Sequence, residues 1–400
     1  MQPRSVRRPL PGVPPAAAGG WLPRCSGAVT GAATRTGGGV LRRGHPGAAL
    51  VLAQPRKGLC VRVLITGGAG FIGSNLADRC LARGDRVTIL DNFSRPGSEA
   101  NVAWLAARHG DRAFRLLRAS VLNRQALRCG LEGAELIVHL AAQVAVTSSV
   151  ADPWRDFRDN AIGTFRLLEA ARRWGQDPIV IYASTNKVYG NLASLRLVEG
   201  PTRYTAPERP FGIAEDQPLD FASPYACSKG CGDQYAREWA RAYGLRTVVL
   251  RQSCVYGPRQ FGVEDQGWLA WFMLAALTGR PVTIYGDGKQ VRDVLFIDDL
   301  LDAYDVAVQR IGAVAGEVLN VGGGPANTVS IWAEFSPRLA ALLGREPEAT
   351  FAPPRPGDQR FYVSDVRRAG SLLGWHPRTP MEAGLERLFH WLVDHHRVRP

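Results

Sequence analysis

Between Val61 and Asp91 the chain reads VRVLITGGAGFIGSNLADRCLARGDRVTILD, and no other stretch limits the fold as tightly. Val61, Val63, Leu64 and Ile65 form a short apolar, β-branched run, the pattern of a strand buried on both faces. Gly67, Gly68, Gly70 and Gly73 follow at once, and from Phe71 the apolar positions Phe71, Ile72, Leu76 and Leu81 recur at helical spacing. A second strand at 87–90 ends at Asp91. Gly68, Gly70 and Gly73 match G-x-G-x-x-G in the context that gives the motif meaning: after a strand, before a helix, with an acid about 20 residues on. Bare backbone lets the chain turn tightly, lets a pyrophosphate approach, and aims helix N-terminal N–H groups at it. A carboxylate at Asp91 suits the ribose hydroxyls of NAD better than the 2′-phosphate of NADP.

The rest of the chain supports an α/β reading. Strand-like runs at 61–66, 86–90, 113–118, 135–140, 178–184 and 246–251 alternate with helical patterns at 71–83, 98–109, 123–129, 153–175 and 224–243. Such alternation predicts a Rossmann-type, doubly wound parallel sheet with helices on both faces and ligands beyond the carboxyl ends of the strands. Residues 61–251 are therefore expected to form a dinucleotide-binding domain, with a loop at 190–222 rich in Pro, Gly and charge inserted into it. After Arg251 the pattern turns irregular, with a Trp-rich helix at 267–278, a strand at 282–285, and helices near 298–310, 328–343, 364–373 and 381–396. Residues 252–400 are read as a smaller, mixed substrate-binding lobe.

Charge and cysteine content exclude several other classes. The net charge of +13 resembles that of a nucleic-acid binder, but nine of the positive charges lie in the first 60 residues, which hold no acid, so the remainder carries +4. Residues 1–58 are Pro-, Gly- and Arg-rich without helix or strand period, and are expected to be a disordered extension that can be removed without loss of folding. Seven cysteines, an odd number without zinc-type spacing, predict neither a metal site nor a disulfide framework, and suit a reducing cytoplasm. No apolar run approaches 18 residues, so no membrane span is expected.

Chemistry is concentrated at Ser223-Pro224-Tyr225, which opens a helix with Ser as N-cap and Pro in the first turn. Tyr225 and Lys229 are four apart and share one helix face. A phenol loses its proton near pH 10, and a neighbouring ammonium and a helix N-terminus both favour the phenolate. Such a tyrosine can accept the proton of a sugar hydroxyl while hydride leaves to a nicotinamide. Alone, Y-x-x-x-K is frequent by chance. Here it follows a dinucleotide fingerprint and a polar strand end at Ser184-Thr185. His139 ends an apolar strand and is read as structural.

TGGAGFIG, HLAAQ (139–143), N-x-x-G-T from Asn160, VYG (188–190), Y-x-x-x-K and RPGD (355–358) together resemble the extended short-chain dehydrogenase/reductase superfamily of nucleotide-sugar enzymes. Within it, STNKVYG (184–190), TRYT (202–205), SPYACSKG (223–230) and RQSCVYGPRQFGVEDQGW (251–268) look most like NAD-dependent epimerases of a CDP-linked sugar. The resemblance implies catalysis by Tyr225 and Lys229 with Thr185, or its neighbour Ser184, holding the reacting hydroxyl. It implies an NAD site from Gly67, Gly68, Gly70, Phe71, Ile72, Gly73, Asp91, Asn92, Ser120, Val121, Leu140, Ala141, Ala142 and Asn160, together with Tyr225 and Lys229. It assigns Thr185, Asn186, Arg292, Arg355 and Asp358 to the nucleotide sugar, and implies a homodimer or homotetramer. Arg292 and Arg355 each also read as ordinary surface or ion-paired charges.

Three departures stand out. Ser120 occupies a place where relatives often carry an acid, Arg95 lies close enough to Asp91 to meet a 2′-phosphate, and Cys254 replaces a frequent Asn. Dehydratases of the superfamily carry acids just after the catalytic Thr. Asn186-Lys187 stands there instead, and an ammonium cannot serve as that carboxylate pair. Epimerisation is therefore favoured over dehydration, and over a non-catalytic NAD sensor, which needs no Thr–Tyr–Lys set.

Overall fold

The computed structural model describes residues 60–355 and 357–397. The expectations for residues 1–58 lie outside the described residues. Seven strands form one fully parallel sheet: β1 (Arg62–Thr66), β2 (Arg86–Asp91), β3 (Phe114–Arg118), β4 (Leu136–His139), β5 (Ile179–Thr185), β6 (Thr247–Gln252) and β7 (Val318–Val321). Their spatial order is β7-β6-β5-β4-β1-β2-β3. The order reverses between β1 and β4, and the carboxyl ends of those two strands open the crevice where α/β sheets take ligands.

Strand alternation sorts the core into two layers. Val63, Ile65, Val138, Ile181, Val248 and Leu250 face one side, where they meet Leu76, Ala77 and Cys80 of helix α1 (Phe71–Ala82). Leu64, Ile137, Val180, Tyr182 and Val249 face the other, against Leu167 and Leu168 of helix α2 (Gly163–Trp174) and Ala236 and Trp239 of helix α3 (Pro224–Tyr243). Each strand is apolar on both faces because helices cover both, so the strands read as continuous hydrophobic runs.

Two expectations need correction. The sheet takes its seventh strand, Val318–Val321, from beyond residue 251, where the sequence shows no clear period. The helix expected over 328–343 is a strand, Thr328–Ser330, followed by a shorter helix, Phe335–Leu343. Val329 and Ile331 fit a helical stripe, but Thr328–Ser330 instead pairs antiparallel with the buried strand Val291–Phe296. That strand also pairs parallel with Phe361–Tyr362 and Cys254–Tyr256, which makes the second sheet mixed. Val282–Tyr285 and Ala349–Ala352 form a further parallel pair beside the apolar helix Trp268–Leu277. Within the 190–222 loop, Val198–Glu199 and Tyr204–Thr205 form a small antiparallel ladder. Among the described residues, no helix is long and apolar enough to cross a membrane.

The helical stretch expected over 153–175 is present but is broken by a π-helical turn, Arg158–Ile162. The wider turn carries Asn160, and such turns recur at functional sites.

Candidate active site

Three cavities of about 510, 300 and 460 Å³ lie along the carboxyl edge of the sheet. The first is lined by Gly67, Gly70, Phe71, Ile72, Gly73, Asp91, Asn92, Ser120, Val121, Leu140, Ala141 and Ala142. All twelve belong to the cofactor set expected from sequence. Gly68 sits behind them, and a Cβ there would lie 2.9 Å from Ile89 Cγ2. The cradle admits only glycine at its tightest points. A Cβ on Gly73 would lie 2.3 Å from the Gly67 carbonyl, and Gly67 adopts φ +71° with the Ala141 backbone 2.7 Å from any Cβ. Asp91 ends β2, where its carboxylate accepts hydrogen bonds from the N–H groups of Ala69 (3.0 Å) and Phe93 (2.8 Å). Burial raises its pKa, while the two N–H groups hold it down. An anion fixed at the end of the second strand fits ribose hydroxyls and opposes a 2′-phosphate, so this cavity fits NAD. The Arg95 guanidinium lines the same cavity but is engaged across the cleft by Gln266 Oε1 at 2.6 Å.

Asn160 does not line the cavities. Its amide donates to Gln143 O (3.0 Å), Asp156 Oδ1 (3.1 Å) and Ser228 Oγ (2.9 Å), and its oxygen accepts from Gln143 N (2.7 Å). It therefore brackets the loop after β4 against α3. His139 is structural, as expected. Thr164 donates its proton to Asn160 O, so it accepts from His139 Nε2, and Thr66 donates to Nδ1. Burial keeps this ring neutral, with its pKa lowered to about 3.

The 300 Å³ cavity brings together Tyr225, Lys229, Thr185, Ser184 and Asn186. Helix α3 starts as the sequence predicts: Ser223 Oγ accepts from Ala226 N at 3.1 Å, Pro224 occupies the first turn, and the Tyr225 N–H donates to Ser149 Oγ at 3.1 Å. The two candidate hydroxyls of β5 separate, because neighbouring strand residues point to opposite faces. Ser184 donates to Asp233 Oδ2 at 2.6 Å and is thereby committed to the helix side. Thr185 caps the following 3₁₀ turn, Asn186–Tyr189, by accepting from Lys187 N at 3.2 Å. Its hydroxyl donates to Asn186 Oδ1 at 3.3 Å, and of the two it is Thr185 that opposes the rise of the Tyr225 phenol, which burial pushes up to about 12.

Lys229 donates to Ala183 O at 2.6 Å and packs its ammonium over the Tyr182 ring. Burial lowers its pKa from 10.5 to about 8, against the pull of Asp233 and Asp156. This has a stability consequence. Below pH 8 the lysine is charged in both folded and unfolded states, and the cost of burying it is fully present. As pH rises from about 8 to the ordinary lysine value, the unfolded state binds more protons and the folded state gains. Measured against Lys229→Met, the cofactor-free protein is expected to gain on the order of 3 kcal/mol across that range. Urea unfolding of both proteins at pH 7.5 and 10 checks this, and a pH-independent difference would refute it.

The 460 Å³ cavity is lined by Arg292, Arg355, Asp358, Tyr285, Glu264 and Asp265, among others. Arg292 is buried and donates to Asp358 Oδ1 at 2.7 Å. Arg355 stacks its guanidinium 3.8 Å from the centre of the Tyr285 ring and lies 3.4 Å from Glu264. Gln260 and Gln266 also line the cleft. They lie in GPRQFGVEDQGW, and its closely spaced glycines and polar residues were the available signal for them.

Residues 63–322 match the model of the NAD dependent epimerase/dehydratase family. The chain belongs to that family. Within it, the chain is similar to the CDP-paratose 2-epimerase of Salmonella typhi, with 38% identity covering 83% of this chain and 99% of the relative. It is also similar to the UDP-glucose 4-epimerase of Mycolicibacterium smegmatis, with 37% identity covering 82% and 97%. Among solved structures it resembles a UDP-glucuronic acid 4-epimerase from Bacillus cereus in complex with UDP-glucuronic acid and NAD. That likeness has a TM-score of 0.72 and 28% identity, over 84% of this chain and all of the other. Membership of an NAD-dependent family accords with the glycine cradle and Asp91.

Proposed function

We propose that the protein is a cytoplasmic isomerase that epimerises a nucleotide sugar, with a CDP-linked dideoxyhexose inverted at C2 as the favoured substrate. The carrying observation is the placement of Thr185, Tyr225 and Lys229 around a cavity flanked by the glycine cradle on one side and the Arg292 cavity on the other. The similarity to a CDP-paratose 2-epimerase supports the choice of sugar and base. The residues following Thr185 favour epimerisation over dehydration, since Asn186 and Lys187 supply no carboxylate for water elimination.

Gly67, Gly70, Gly73 and Asp91 would hold NAD, which when bound supplies the acceptor and later the donor of the C2 hydride. Tyr225 takes the proton of the C2 hydroxyl and later returns it. The Lys229 ammonium favours the phenolate by its charge. Thr185 orients the reacting oxygen. Arg292 and Arg355 hold the nucleotide diphosphate, for which a guanidinium fork is well shaped.

The homo-oligomer is proposed on the exposed faces of α2 and α3. Phe165, Tyr235 and Trp239 pack edge to face there, 5.2–5.5 Å apart, while Phe165 and Tyr235 stay about 40% exposed.

The test is turnover of a CDP-dideoxyhexose deuterated at C2. Hydride return within the site predicts an inverted product that keeps its deuterium, and denatured protein that releases NAD, detectable by mass spectrometry. Complete exchange of C2 with solvent would replace this mechanism by deprotonation. Release of water with a 4-keto product would replace it by dehydration.

A further inference from the structure

Lys187 lies outside the catalytic set and the diphosphate arginines, yet it lines both the Tyr225 cavity and the Arg292 cavity. The 3₁₀ turn after β5 puts it there: Thr185 caps the turn, and Lys187 projects two residues further on. Its ammonium lies 3.5 Å from Asp358 Oδ1, the oxygen that already accepts from Arg292 at 2.7 Å. Two cations therefore share one carboxylate and leave an excess positive charge. The Lys187 contact is the longer of the two, so its three donors are poorly used. Burial lowers its pKa, and neighbouring Arg292 lowers it further against the pull of Asp358. An additional anion would relieve all of this.

We propose that Lys187 binds the phosphate attached directly to the sugar, between Arg292 on the nucleotide side and Thr185 on the reacting side. The proposal rests on the nucleotide-sugar reading of the cleft and sharpens it. The oxygen that carries this phosphate is on C1. A substrate reacting at C2 therefore holds its phosphate next to the Thr185–Tyr225 pair, whereas one reacting at C4 holds it across the ring. An ammonium two residues from Thr185 suits the first arrangement. Held there, the phosphate is a fixed pivot about which the oxidised sugar turns to present its other face. Lys187 is thus a positioning residue that favours chemistry near the anomeric carbon.

The experiment is calorimetric titration of the NAD-loaded protein with cytidine and uridine 5′-diphosphates and the matching monophosphates, which lack the second phosphate. Lys187→Met is expected to weaken diphosphate binding by about 10–100-fold while changing monophosphate binding by less than about 3-fold. Lys187→Arg is expected to keep most of the preference, since it keeps the charge. Lys187→Gln carries the same expectation as the methionine variant and stays polar, should that variant fail to fold. Equal losses for mono- and diphosphates, or no loss for either, overturn the assignment while leaving the epimerase reading intact. A wild-type protein that binds none of the four nucleotides overturns the epimerase reading itself, and this proposal with it.

Discussion

Tyr225→Phe is expected to lower epimerisation by roughly 10²–10⁴-fold while leaving NAD bound. The substitution removes one hydroxyl and keeps the ring, which is 8% exposed at the start of α3. The backbone contact to Ser149 does not depend on the side chain and survives, as does the Ser223 cap. Gly67, Gly70 and Gly73 belong to a separate turn and stay in place. What disappears is the group that exchanges a proton with the sugar. In the cofactor-free protein burial pushes this phenol up to about 12, with Thr185 opposing the shift. Steady-state turnover together with NAD quantified by mass spectrometry separates the two effects. A variant that keeps full activity would remove Tyr225 from the mechanism, and one that loses its NAD would show the phenol hydroxyl itself to be a cofactor ligand.

The half of the site that is local in sequence was legible in it. The glycine turn, Asp91 and the Tyr225–Lys229 pair each lie within one βαβ unit or one helix, and their spacing alone limits where their side chains can go. The strands β1 to β6 were legible because burial on both faces leaves an uninterrupted apolar run. The remainder depends on partners far along the chain. Strand Val318–Val321 carries the buried Asn320, whose oxygen accepts from Tyr189 and whose amide donates to Ile213 O. Strand Val291–Phe296 carries Arg292 and Asp293, both buried. Polar residues satisfied at a distance break the pattern by which a buried strand is recognised. The choice between Ser184 and Thr185 had the same cause. Strand alternation separates the two hydroxyls, but the residue that draws Ser184 away, Asp233, lies 49 positions on. Lys187 was visible as a departure from the dehydratase pattern, but its sharing of Asp358 with Arg292 could not be read without the fold.

Asp233→Ala is expected to destabilise the fold by about 3–5 kcal/mol. Asp233 is fully buried on α3, and Arg251 of β6 grips its carboxylate with two bonds, Nε to Oδ2 at 2.9 Å and Nη2 to Oδ1 at 3.0 Å. Ser184 of β5 donates to the same carboxylate, and Arg251 also donates to the Tyr189 hydroxyl at 3.0 Å, which passes its own proton to Asn320 of β7. One carboxylate thus ties the catalytic helix to three neighbouring strands and to the turn that carries Lys187. Truncating it leaves the Arg251 guanidinium, only 4% exposed, without a counter-charge, and that uncompensated charge is the main cost. Ser184→Ala removes only one donor and is expected to cost about 1 kcal/mol. If the penalty comes from the stranded charge, removing both partners relieves it. The double variant Asp233→Leu, Arg251→Met is therefore expected to be more stable than Asp233→Ala by at least about 2 kcal/mol. Urea unfolding of the three variants beside the parent measures this. A loss below about 1 kcal/mol for Asp233→Ala would mean that the network positions α3 without contributing to its stability, and a double variant weaker than the single one would mean that the penalty does not come from the stranded charge.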